Sequence, residues 1–201
     1  MSQQEFWNGK FSKDEFFYGI HPNKFLASQE EYFDNHKKIL CLGEGEGRNA
    51  IYFAKKGFNI TAIDASDIGL EKLNKRAKEE NLNINIKTIC MDLNFWEISE
   101  KYDVIMASYL HMFKDEREEL FKKIEKSLNT GGYFIGEFFS TKQLEFSSGG
   151  PKDLDLLYTV EDFMGYFNLC EKTITEEIVI LDEGIGHQGE ACVIRVKIKK
   201  V

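Results

Sequence analysis

The chain has no basic stripe, no paired-cysteine spacing and no long apolar run, and each absence removes a class of function. Against 26 Lys and Arg it carries 34 Asp and Glu, a formal charge of −8. The cations are scattered among acids, so a nucleic-acid surface is not expected. Cys41, Cys90, Cys170 and Cys192 follow neither metal-ligand nor redox spacing. Three of them lie in apolar runs, which predicts buried free thiols in a reducing compartment. No apolar run approaches membrane-spanning length, and Met1-Ser2-Gln3-Gln4-Glu5 is polar, so neither signal peptide nor anchor is expected and the cytoplasm is the expected compartment. There is no internal repeat, low-complexity tract or legible metal site. With 201 residues, 42% of them hydrophobic, one domain with a sizeable core is expected.

What is present is organised around Ile39-Leu40-Cys41-Leu42-Gly43-Glu44-Gly45-Glu46-Gly47-Arg48-Asn49-Ala50. An apolar strand runs into a glycine turn and then into a helix predicted over 48–56, the context in which a glycine-rich motif carries meaning. Glycines there permit a tight turn and bring a ligand close to main-chain N–H groups. About 20 residues on, Asn59 to Asp64 reads as a second strand ending in a carboxylate, placed to accept from ribose hydroxyls. The pair predicts a nucleoside cofactor. Two frames compete: Gly45 to Ala50 fits the dinucleotide pattern, and Gly43, Gly45 and Gly47 give G-x-G-x-G. A pyrophosphate on the turn would meet Glu44 and Glu46, whereas S-adenosylmethionine, with a sulfonium and an ammonium, tolerates them. The sulfonium cofactor is therefore favoured. Glu46 has a second reading as a complement to the helix dipole.

The string ILCLGEGEGRNAIYFAKKGFNITAIDAS resembles the cofactor-binding half of class I S-adenosylmethionine-dependent methyltransferases. More narrowly it is similar to the small tellurite-resistance and thiopurine-type methyltransferases, as are FWNGKFSKDEFFYGIHPNKFL and GHQGEACVIRV at the two ends. The resemblance implies a Rossmann-like α/β fold, a seven-stranded mostly parallel sheet with an antiparallel last strand and helices on both faces. It also implies that residues 1–36 form a lid over a core of 37–201, with Tyr18 and Gly19 near the reacting methyl. One departure stands out: this group has an acid where the chain has Cys41 and often a cysteine where it has Glu44. The implied cofactor set is Gly43, Glu44, Gly45, Gly47, Arg48, Asp64, Ala65, Asp92, Leu93 and Ser108, with Asp92 reaching the adenine amino group. An NPPY-like sequence is not matched after the fourth strand, which disfavours methylation of a nucleobase amine. His111, in that loop, and Tyr18 are the candidate catalytic residues, since imidazole titrates near neutrality.

The rest of the chain reads as a scaffold. Pro22 suits the first turn of a helix over 23–33; Ser66 caps a helix to about Glu80; 84–90 and 102–108 are strands. Asp115 with Glu118 resembles a capping box for a helix to Leu128, and Thr159 with Asp162 caps another through Phe167. Tyr133 to Phe139 is a fifth strand, with Glu137 expected in a solvated or paired position. Cys170–Leu181 and Ala191–Val201 predict a hairpin joined by 182–190, with His187 in a solvent-exposed turn or, by the resemblance, near the acceptor. The predicted activity is methyl transfer from S-adenosylmethionine to a small molecule, with a thiol or chalcogen compound as the expected kind of acceptor. The alternatives are a nicotinamide-dependent oxidoreductase and a non-catalytic cofactor-binding module. Oligomeric state is not readable.

Overall fold

The computed structural model describes residues 1–33 and 38–201. The boundary expected between lid and core, at 36/37, lies outside the described residues. One seven-stranded sheet runs in the order β3-β2-β1-β4-β5-β7-β6. Its strands are β1 (Lys38–Leu42), β2 (Asn59–Asp64), β3 (Ile86–Cys90), β4 (Tyr102–Ser108), β5 (Leu128–Phe139), β6 (Cys170–Glu183) and β7 (His187–Lys200). Pairings through β5 are parallel. Strand β7 enters antiparallel between β5 and β6, as the mixed-sheet expectation has it.

The helices are α1 (Gln3–Phe11), α2 (Lys24–Ser28), α3 (Arg48–Lys55), α4 (Asp67–Glu79), α5 (Lys114–Ser127) and α6 (Val160–Tyr166). Central strands are apolar on both sides because both faces are covered. Ile39, Cys41, Ile60 and Ala62 pack with residues of α2, α3 and α4, while Leu40, Leu42, Ile105 and Ala107 pack with α5 and α6 through Phe121, Ile124 and Phe163. Arg117, 2% exposed, ties α5 to α6: it donates to Leu157 O at 2.7 Å, Tyr166 Oη at 3.0 Å and Asp162 Oδ2 at 3.1 Å.

Several local expectations are corrected. Asn23 caps α2, accepting from Leu26 N at 3.0 Å, so Pro22 precedes the cap, and the helix gives way to a 3₁₀ turn at Glu30–Phe33. At α5 the N-cap is Phe113, without a side-chain cap, so Asp115 and Glu118 form no capping box. Thr159 and Asp162 do form one, and Ser66 caps α4 through Gly69 N at 3.0 Å. Cys90 is exposed and Cys170 half-buried, whereas Cys41 and Cys192 are buried; all four are free. The hairpin connection shrinks to the three residues between Glu183 and His187, because strand pairing continues up to Glu183 opposite His187.

Candidate functional site

A cleft opens at the carboxyl ends of β1, β2 and β4, where ligands of open α/β sheets bind. Gly43, Glu44, Gly45, Arg48, Asp64, Ala65, Asp92, Leu93 and Ser108 all line it, together with Tyr18 and His111. Gly47 does not. It caps α3 at φ +86°, and a Cβ there would come within 2.2 Å of Leu73 Cδ1. Its glycine serves the close packing of α3 against α4.

The two turn glutamates part company. Glu46 faces the N-terminal segment, accepting Phe17 N at 2.7 Å and pairing with Lys72 at 2.6 Å. Lys72 in turn donates to Lys13 O and Glu15 O. Glu46 thus clasps the segment down, a role its helix-dipole reading did not include. Glu44 is buried, lines the cleft, and accepts Ala50 N at 2.6 Å. Burial pushes its pKa up to about 7 against the pull of that bond and of nearby Arg48. It makes no ion pair among the described residues. Cys41, where an acid was expected from the resemblance, is fully buried among apolar side chains with its thiol in hydrogen-bonding contact with Glu44. The acid of this turn, Glu44, stands beside the cleft and the thiol lies behind it in the core.

Asp64, at the end of β2, accepts Gly45 N and Ser66 N, each at 2.7 Å. Burial raises its carboxyl to about 6 even so. Asp92 caps the 3₁₀ turn at Leu93–Phe95 through Asn94 N at 2.9 Å while lining the cleft beside Met91 and Leu93. Asp92 thus caps a turn and lines the cleft at once.

Helix α1 and the loop after it cover the cleft. Asn8 donates to Asp67 Oδ1 at 2.7 Å and accepts from Ser66 Oγ at 2.7 Å, which docks α1 on the start of α4. Trp7, Phe11 and Tyr18 then face the cleft. Beyond this cover lies a second, largely apolar cavity, enclosing about 1090 Å³ of empty space including its mouth against about 720 Å³ in the first. Gln3, Trp7, Tyr18, His111 and His187 belong to both, so the cavities meet at those side chains. His111 is stacked between Trp7 (5.9 Å) and Phe139 (6.3 Å), each at 15°. Burial, helped by His187, lowers its pKa to about 3. It is a neutral ring at physiological pH.

His187 is 1% exposed, which overturns the solvent-exposed turn. Its Nδ1 lies 3.2 Å from Glu183 Oε2, and Arg48 Nη2 reaches the same oxygen at 3.1 Å. Asn23 Nδ2 donates to Glu183 Oε1 at 3.2 Å and to Glu137 Oε1 at 2.7 Å. Glu137 also accepts Tyr109 Oη at 2.6 Å and Arg195 Nε at 2.7 Å, so it is buried and paired. Glu183, Asn23 and Tyr109 were missed from sequence. Only the resemblance at GHQGEACVIRV pointed toward this wall, and it drew attention to the histidine alone.

Arg48 Nη1 is buried and has no hydrogen-bond partner among the described residues. Hydride chemistry of the Tyr-x-x-x-Lys type finds no support in the cleft: the spacing occurs at Tyr52 and Lys56, and both bind Glu30, at 2.8 Å and 3.0 Å.

Comparisons with known proteins agree with this geometry. The family model described as tellurite resistance protein TehB matches residues 26–147, more than half of the chain. A probable S-adenosyl-L-methionine-dependent methyltransferase TehB from Haemophilus influenzae (strain 10810) is 35% identical over 98 residues. That match covers 48% of this chain and 34% of the relative, so the chain matches only about a third of that protein's length. The crystal structure of TehB from Haemophilus influenzae superposes with a TM-score of 0.73 at 22% identity, covering all of this chain and 68% of that one. The N-methyltransferase NodS from Bradyrhizobium japonicum WM9, in complex with S-adenosyl-L-homocysteine, gives 0.70 at 11% identity, covering 98% of each chain. With the glycine turn, the strand-end carboxylate and the mixed sheet in place, the chain belongs to the TehB family of class I S-adenosylmethionine-dependent methyltransferases.

Proposed function

We propose that this protein binds S-adenosylmethionine in the first cleft and transfers its methyl group to a small molecule held in the second cavity. The observation that carries the reading is a pair of polar groups on one wall: the buried Glu44 carboxyl, in no ion pair among the described residues, and Arg48 Nη1, left without a hydrogen-bond partner among them while Nη2 binds Glu183. An α-amino acid complements that pair with its ammonium and its carboxylate, and a dinucleotide does not. Asp64 would take the ribose hydroxyls, and Asp92, Met91 and Leu93 the adenine. Gly43 and Gly45 would let the main chain approach the cofactor, and Ala65 and Ser108 would complete the walls. The dinucleotide reading loses its anchoring point, because the Glu44 carboxylate already accepts the Ala50 N–H where a helix start would hold phosphate.

S-adenosylmethionine supplies an activated methyl group and needs no further cofactor. The chain supplies alignment and dryness: Trp7, Phe11 and Tyr18 close over the cleft and exclude water, while His111 and Tyr18, at the joint of the cavities, contact the acceptor. Well-oriented reactants gain effective molarities on the order of 10⁵ M or more. The proposed acceptors are thiols or chalcogen compounds, as in thiopurine-type enzymes. The acidic charge speaks against nucleic acid, and four free cysteines speak for the cytoplasm. No described helix is long and apolar enough to cross a membrane.

Calorimetric titration with S-adenosylmethionine, NAD and NADP tests the reading. Saturable binding of the first alone, weakened about 100-fold or more in Asp64→Ala, is the expected result. Binding of a dinucleotide instead would overturn it.

A further inference from the structure

We propose that Glu183 fixes the tautomer of His187 so that its bare Nε2 faces the acceptor cavity, making His187 the proton acceptor for substrates that carry an X–H nucleophile. The inference rests on the methyltransferase reading and narrows its acceptor to protonated thiols, hydroxyls or amines.

The geometry leaves little choice of tautomer. Glu183 is held ionised: burial raises its carboxyl, but the His187 bond and the Arg48 charge outweigh burial and bring it to about 2. A carboxylate only accepts, so the ring nitrogen 3.2 Å away must donate. His187 is itself neutral near pH 7, since burial lowers its pKa despite the carboxylate. Its single proton is therefore on Nδ1, and Nε2 carries a lone pair on the opposite edge of the ring. Cδ2, the ring atom bonded to Nε2, lies against Gly149 of the second cavity, where a Cβ would come within 2.7 Å of it, and the ring lines both cavities. The groups facing the ring are Tyr18 at 4.5 Å, Tyr109 at 4.4 Å and Phe139 at 5.0 Å between ring centroids, with Glu183, Arg48 and Glu137 acting on its charge and His111 coupled to it. His111 has no such orienting carboxylate among the described residues and is pinned by stacking.

In the step, the new bond joins the methyl carbon to X, and the bond from that carbon to the sulfonium breaks. The sulfonium sulfur keeps the electron pair of the broken bond. The X–H proton passes to Nε2. The imidazolium so formed lies against the Glu183 carboxylate, which stabilises it, and the proton then leaves to solvent.

The first test needs no acceptor. Two-bond ¹H–¹⁵N correlation spectra of the free full-length protein report which ring nitrogen is protonated, and the His187 signals are those lost in His187→Gln. We expect a protonated Nδ1 and a bare Nε2, with the preference lost in Glu183→Gln, whose amide can donate as well as accept. An Nε2–H tautomer overturns the proposal. The second test measures S-adenosylhomocysteine formation with an alkyl thiol, a phenol and selenite, whose selenium lone pair attacks without losing a proton. Turnover of the thiol or phenol, reduced about 10²–10⁴-fold in His187→Gln, supports it; methylation of selenite alone, or thiol turnover indifferent to the substitution, overturns it. Calorimetry of S-adenosylmethionine binding is read separately, so failure of the wider reading would be seen there.

Discussion

The Glu46 carboxylate accepts the backbone N–H of Phe17 at 2.7 Å, joining the glycine turn to the segment that covers it. A buried hydrogen bond to a charged group contributes about 1.5–3 kcal/mol. Glu46→Ala should therefore loosen residues 12–19 and leave the sheet intact. Amide hydrogen exchange should quicken there by roughly tenfold to a hundredfold, with a parallel rise in cofactor Kd. Unchanged exchange would mean that aromatic packing alone holds the cover.

Glu44 and Asp64 make stability and binding depend on pH in opposite senses. Both have raised pKa values when folded, to about 7 and about 6, chiefly through burial. A raised acid contributes stability that is complete below its unfolded value near 4 and is lost as pH rises through the folded value. The ligand-free protein should thus lose Tm as pH rises from about 4 to about 7 from these two groups. A cationic ligand favours ionised Glu44, so the Tm increment from S-adenosylmethionine should grow over the same interval. In Glu44→Gln that increment should be smaller and nearly flat with pH.

Gly47 is a stability position despite its place in the motif. An Ala there adds a Cβ at 2.2 Å from Leu73 Cδ1 in a left-handed conformation. Overpacking of this kind costs about 1–3 kcal/mol. Urea unfolding of Gly47→Ala should show a lowered midpoint that Leu73→Ala in the same chain does not restore, because Leu73 Cβ itself lies 2.8 Å from the added Cβ.

Arg117 offers the complementary case, a buried charge that lines neither cavity. Removing one partner of a buried pair costs about 3–5 kcal/mol. Arg117→Ala should lose roughly that much stability while its folded fraction binds the cofactor with wild-type Kd. A large change in Kd would show that α5 and α6 brace the cleft.

The parts of this molecule that could be read from sequence are those fixed by local pattern. The glycine turn, the carboxylates closing β2 and following β3, and the caps Ser66 and Thr159 follow from spacing and residue type alone, and each stands where it was expected. Pairing across long separations was not readable. Nothing near His187 announces that β6 and β7 stay paired up to Glu183, which turns a presumed solvent loop into a buried wall. Asn23 looks like an ordinary helix start, yet its amide bridges two carboxylates from the far half of the chain. Glu46 could be valued only once Phe17 was placed beside it.

The Asn23 bridge has a consequence for how the protein is made. It joins residues 160 positions apart, and Gly186 N meets Phe17 O beside it at 3.1 Å. A ribosome-bound chain that has emerged only through β5 carries the glycine turn, Asp64 and Asp92, but not Glu183 or His187. The covering segment therefore cannot complete its bonds to this wall until the hairpin of β6 and β7 has been made.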